Sequence, residues 1–223
     1  MKKIGRFFLK IFLILIITVS IICLGIFGNC YLKKEKLYKN ESISQKITNI
    51  ENKNTYVKLD SVSDNFKKSI VAIEDHRFYD HSGFDIISFS RALVVNLKTK
   101  EFSQGGSTIT QQLAKRLYLS ADKNIFRKVT ELLIALDLEK FLEKDKILEL
   151  YINSIYYGNS STGIYDASIN YFNKTPNNLT DNEAAFLAGL PQAPSIYSKN
   201  TDLAERRKQE VLDAVAKYNK DKK

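Results

Sequence analysis

The sequence predicts a mainly α-helical chain with an N-terminal transmembrane helix, and three observations carry that expectation. Ile11 to Gly28 (IFLILIITVSIICLGIFG) is an 18-residue run without a charge, roughly 27 Å long as a helix and so about one hydrocarbon core. Beyond residue 60, apolar residues recur at three and four in SDNFKKSIVAIEDHRFY, DIISFSRALVVNL, NIFRKVTELLIALDLEKFLE and DKILELYINSIYYG, the period of a helix face. Only three prolines occur, all of them late, so nothing breaks those runs.

Taken in order, residues 1–10, with Lys2, Lys3, Arg6 and Lys10, read as a cytoplasmic tail, and 11–30 as the anchor. No A-x-A-like cleavage site follows the apolar run, which favours an anchor over a signal peptide. Lys33, Lys34, Lys36 and Lys39 lie just beyond it, so the positive-inside count is nearly tied. The orientation expected is the simpler one, a short tail inside and a large domain outside. Residues 31–60, rich in Lys, Asn, Glu and Ser, read as a polar stalk with one short strand at Thr55 to Leu59. Residues 61–223 read as one globule of about seven helices, with Asp64, Ser107, Asn124 and Asp181 as caps, long loops near Gly83, Gly105 and Gly158, and a lysine-rich tail at Lys217 to Lys223. The formal charge of +9 favours anionic partners. Both cysteines, Cys23 and Cys30, fall in or beside the span, leaving the soluble part without a disulfide framework or a Cys-based metal site. The two histidines lack HExxH-like spacing, which argues against zinc, and no motif supports nucleic-acid binding.

Three clusters could carry chemistry. GGSTITQQLAK, Gly105 to Lys115, has two glycines, then hydroxyls and amides, then a lysine, and no acid. On a helix starting at Ser107, Thr108, Gln112 and Lys115 share a stripe beside an apolar one of Ile109, Leu113 and Leu117. The free N–H groups of a helix entrance behind a glycine turn suit an anion; a solvated face with a normal cap fits the same residues. In AIEDHRFYDHSGFD, the adjacent acids Glu74 and Asp75 end an apolar run. Repulsion and lost solvation should raise at least one pKa, making a general base plausible beside the plainer reading of surface acids at a helix end. In RKVTE, Arg127 and Lys128 share a helix face with Glu131. They make either an intrahelical ion pair or a clamp for phosphate oxygens, with Glu131 orienting the pair or helping to hold a divalent ion.

EDHRFYDHSGFD, GGSTITQQLAK, RKVTE, ILELYINSIYYG and EAAFLAGLPQAP stand in the order and spacing of the five motifs of the peptidoglycan glycosyltransferases, family 51 of the glycosyltransferases, which the chain resembles from about Asp64 to Val215. The resemblance implies a lysozyme-like helical glycosyltransferase domain with a small membrane-dipping jaw. It also implies polymerisation of lipid II into β-1,4-linked glycan with release of undecaprenyl pyrophosphate. Glu74 matches the catalytic base and Glu131 the second important carboxylate. Asp75, Phe78, His81, Gly83, Ser107, Thr108, Gln111, Gln112, Lys115, Arg127 and Lys128 match positions that shape the cleft or contact sugar and pyrophosphate, and Arg116 lies among them. Glu149, Tyr151, Asn153, Gly158 and the Leu187 to Pro194 stretch match scaffold motifs. Mg²⁺ or another divalent cation is the expected cofactor, and membrane lipids and penicillin-binding transpeptidases are the expected partners beside lipid II and the growing glycan. The sequence stops soon after the fifth motif, so a monofunctional enzyme without a transpeptidase domain is expected. The location implied is the bacterial cell membrane with the catalytic domain outside. Arg116 stands where the family commonly has asparagine, Ser160 and Asn173 replace usual glycines, and Lys199 replaces a proline. The rival readings are a lysozyme-like glycan-cleaving enzyme, against which the cationic clusters argue, and an anchored, non-catalytic wall-binding protein.

Overall fold

The apolar run at the N-terminus has no partner inside the fold, and the structure, a computed structural model, makes it a helix standing clear of the rest. Residues 2–99, 105–120, 122 and 124–222 are described, with the backbone alone for 2–6 and 8. The side chains of Lys2, Lys3 and Arg6, and Lys223 of the basic tail, lie outside that range. Helix α1 (Lys2–Asn40) is continuous. Its most apolar 18-residue window has a mean hydropathy of 2.9 and no buried residue, so by length and composition it can cross a membrane.

The expected polar stalk is folded instead. Cys30 is fully buried and bonds the Phe126 carbonyl, while Lys34 Nζ (2.7 Å) and Tyr38 Oη (3.1 Å) both donate to Asp137. These contacts lay the end of α1 along α6 (Ile125–Phe141). A capping box of Ser42 and Gln45 starts α2 (Ile43–Glu51), which buries Ile47 and Ile50. No strand forms over Thr55 to Leu59. Asn153 grips the Val57 backbone from both sides (2.9 and 2.8 Å), and Glu149 accepts from Leu59 N (2.8 Å) and Tyr56 Oη. Polar composition suggested a stalk because the partners that satisfy it lie some ninety residues away.

The mainly α expectation holds, with nine helices over residues 61–222 among the described residues rather than about seven, besides α2 in the expected stalk. The elements not foreseen are the short α8 (Ile164–Phe172) and α10 (Pro194–Tyr197), while α9 (Asp181–Gly189) follows the cap region expected at Asp181. α3 (Asp64–Glu74) packs on α9 and on α11 (Thr201–Asp221), so the basic tail is helical to Asp221. α5 (Ile109–Tyr118) packs on α6 and on α7 (Lys144–Ser154), and α4 (Ile86–Thr99) lies at the surface, exposing Ile86, Ile87, Leu93, Val94 and Leu97. The core runs through Phe66, Ile70, Leu113, Ile134, Leu138 and Tyr151, all fully buried. Asn124 caps as expected, but Ser63, Thr108 and Thr180 cap α3, α5 and α9 in place of Asp64, Ser107 and Asp181.

The long loop expected near Gly158 is a hairpin of β1 (Tyr156–Gly158) and β2 (Ser161–Thr162), closed by Asn159 and Ser160 at φ 45° and 56°. Two positive φ values in a two-residue turn are the type I′ pattern, whose preferred second residue is glycine. Ser160 thus holds a backbone conformation that glycine adopts freely, as Asn173 does at φ 52° where it ends α8. Ser160→Gly should raise stability by about 0.5 kcal/mol by relieving that conformation. Thermal unfolding in detergent micelles reads this as a higher midpoint.

Candidate active site

Glu74 is the last residue of α3, which ends because Asp75 leaves helical geometry (φ −156°, ψ 74°). That turn sends the adjacent acids apart. Asp75 is buried and accepts from His81 Nε2 (3.0 Å to each oxygen) and from Ile109 N (3.0 Å), the first N–H of α5. Glu74 takes a hydrogen bond from Gln112 Nε2 (2.7 Å), whose own oxygen accepts from Tyr151 Oη (3.0 Å). Burial pushes the Tyr151 phenol well above its ordinary pKa, so the hydroxyl stays protonated and donates. Gln112 is thereby held with its nitrogen toward Glu74. Burial is also the main cause that raises the Glu74 pKa; the Gln112 hydrogen bond and the Arg207 charge oppose it, and Asp75 adds a smaller push upward. Of the two causes expected from sequence, lost solvation is therefore the main one and repulsion between the two acids the smaller.

A cleft of about 290 Å³ opens beside Glu74, with Ser88, Arg91, Gly106, Ser107, Gln192 and Arg207 among its walls. Arg207 comes from α11 and was not anticipated from sequence. Its stem crosses Gly189, where an added Cβ would lie 2.8 Å from Arg207 Cγ. A signal existed: Arg207 shares the i, i+3, i+7 face of α11 with buried Ala204 and Val211, and an arginine on an apolar face calls for a partner. Arg207→Gln removes a charge that lowers the Glu74 pKa. The acid limb of the pH–rate profile should therefore move to higher pH, and an unmoved limb would show that the two groups do not communicate.

The remaining candidates divide by position. Thr108 and Gln111 form the capping box of α5, and Thr108 Oγ1 also donates to the Gly83 carbonyl (2.7 Å). Both are buried, so their polar atoms serve the helix entrance rather than an open stripe. Gly83, at φ 77°, fits against the Ala135 backbone, 3.2 Å from where a Cβ would stand. Phe78 is fully buried, with Lys144 Nζ 4.4 Å from its ring centroid, and His81 is tied to Asp75. The first-motif residues Asp75, Phe78, His81 and Gly83 thus support Glu74 chiefly from behind.

Glu131, 2% exposed, bonds Arg127 through one carboxylate oxygen and Lys128 through the other. It is a positioning residue for that pair, and its oxygens, taken up by the two side chains, are not offered to a metal ion. Among the described residues Asp75, His81 and Asp85 bring ligand atoms within 4.8 Å. Those atoms already bond one another, Ile109, Ile87, Ser88 and Arg77. The residues present do not fit a resident Mg²⁺ at Glu131. Lys128 Nζ also donates to Ser107 Oγ (2.7 Å), which brings it to the cleft wall. Lys115 and Arg116 line an adjoining depression of about 260 Å³ that shares Gln112 with the Glu74 site. None of the three cations expected opposite Glu74 lines its cleft: Lys128 meets it through Ser107, Lys115 adjoins Gln112, and Arg127 connects only through Glu131 and Lys128, while Arg91 and Arg207 line it directly.

A family model described as Transglycosylase matches residues 40–216. The chain is 44% identical over 165 residues to penicillin-binding protein 1A of Neisseria flavescens, covering 73% of this chain and 21% of that protein. It is 43% identical over 182 residues to penicillin-binding protein 1A/1B of Bacillus subtilis strain 168 (77% and 20%). With penicillin-binding protein 2D of the same strain it shares 43% over 183 residues (81% and 26%). The chain thus spans between 20% and 26% of the length of these relatives.

Proposed function

Because the chain belongs to the transglycosylase family, the lysozyme-like peptidoglycan glycosyltransferases of family 51, we propose that it polymerises lipid II at a membrane surface. The acceptor's sugar 4-hydroxyl gives its proton to Glu74, the oxygen attacks the anomeric carbon of the lipid-linked donor, and the bond to the diphosphate breaks with inversion. One displacement of this kind needs a base and stabilisation of the departing anion, and no covalent enzyme intermediate. The carrying observation is the Glu74 carboxyl, held by Gln112, raised in pKa by burial and facing a cleft with arginines in its wall. Lys128 and Arg127, fixed by Glu131, and Lys115 supply further positive charge to the diphosphate. A divalent cation would arrive only with the substrate's diphosphate.

The same reading places α1 across the membrane once, with residues 1–10 inside and the globule outside. The exposed apolar side chains of α4, with Ile125 and Phe126 beside the buried Cys30, would rest on the bilayer. An overall charge of +9 favours an anionic leaflet. Transpeptidases that crosslink the product are the partners proposed. The test is detergent-solubilised protein with labelled lipid II, with and without Mg²⁺. Polymer is expected; digestion of preformed glycan, or binding without turnover, would contradict the proposal.

A further inference from the structure

Resting on that reading of the cleft, we infer that Arg116 and Lys53 form a subsite for the carboxylates of the peptide stem carried by the substrate sugar. Arg116 is held by Nε and Nη2, which donate to the Ser154 carbonyl (3.2 and 2.9 Å). It remains exposed and lines two depressions at once. One, of about 260 Å³, holds Lys115 and meets the Glu74 site at Gln112; the other, of about 230 Å³, holds Lys46, Asn49 and Lys53. A path therefore runs from the base through Gln112 and Arg116 to α2 and its C-terminal end.

Neither depression has a carboxylate in its wall. Glu41 pairs with Lys46 (2.5 Å) and so compensates that lysine. Lys53, Lys115 and Arg116 enter no ion pair among the described residues. Unpaired charge of one sign along a concave path concentrates the opposite charge there.

The location selects the anion. The apolar run ends near Gly28, and α1 continues to Asn40, about 18 Å further along the axis, before α2 begins. With α1 along the membrane normal, that distance exceeds the headgroup layer, which adds roughly 5–8 Å on each side of the hydrocarbon, and sets the start of α2 beyond the lipid phosphates. The glycan itself is uncharged apart from its peptide carboxylates, and these travel with the sugars beyond the diphosphate. Arginine at 116 supplies a fixed cation where the family's usual asparagine would not.

The test compares polymerisation of lipid II bearing free stem carboxylates with its counterpart amidated at those carboxylates. Wild type should prefer the free form by about threefold or more, the scale of one or two exposed charge pairs. Lys53→Ala combined with Arg116→Asn should bring the ratio toward one, and Lys53→Arg should keep it. Equal use of both substrates by wild type overturns the inference, as does a preference that survives the double substitution. Competition by millimolar inorganic phosphate without any effect of amidation would make this a phosphate site and overturn it as well. Should wild type polymerise neither substrate, the transferase reading fails first and this inference falls with it.

Discussion

Glu74→Gln is expected to lower kcat/KM for lipid II polymerisation by about 10²- to 10⁴-fold, the usual contribution of a positioned general base, and at the same time to stabilise the fold at neutral pH. The two effects have one cause. In the unfolded chain a glutamate ionises near pH ~4.3, whereas burial raises the Glu74 pKa in the fold. Between those values the folded chain binds more protons than the unfolded one, so stability falls as pH rises through that window and stays lowered above it. Glutamine removes the titration, and its amide oxygen still accepts from Gln112. Melting curves across pH should show the variant above wild type at neutral pH, with the gap closing below the unfolded value. A variant of unchanged activity would remove the catalytic assignment, and one of lower stability would remove the claim that ionised Glu74 is poorly solvated.

Asp75→Ala is expected to be the most destabilising single change at the site, by about 3 kcal/mol. The carboxylate accepts from His81 Nε2 through both oxygens and from Ile109 N, and His81 Nδ1 has no partner among the described residues. Without Asp75 the buried ring loses both hydrogen bonds, the first N–H of α5 is left unpaired, and a negative charge disappears from that helix N-terminus. Since α5 carries Gln112, which holds Glu74, activity should fall together with stability. Asp75→Asn keeps one acceptor oxygen and should recover about half of the lost stability. Thermal unfolding of both variants in micelles measures this; an alanine variant as stable as wild type would contradict the described network.

What sequence could see was periodic or local. The long runs gave α3, α6 and α7 close to their observed bounds because each has one face in the core, and gave α4 because its apolar residues keep the same period although most stay exposed. The region from Leu37 to Leu59 was misread because its polar residues are satisfied across distant sequence, by Asp137, Glu149 and Asn153. The cap of α5 was placed one residue early because Ser107 and Thr108 are both competent, and the choice falls to Thr108, whose hydroxyl also reaches Gly83. At the site, Glu74 and the Arg127, Lys128 and Glu131 cluster were legible as motifs. The inward turn of Asp75, the full burial of Phe78 and the arrival of Arg207 beside Glu74 depend on how α3, α5 and α11 meet, which no local pattern encodes.

Trapping Glu74→Gln with lipid II and determining the structure of that complex tests the central claim most directly. An acceptor 4-hydroxyl within hydrogen-bond distance of residue 74, and diphosphate oxygens against Lys128, Arg127 or Lys115, is the predicted outcome. A diphosphate bound elsewhere, with residue 74 facing no sugar hydroxyl, would contradict it.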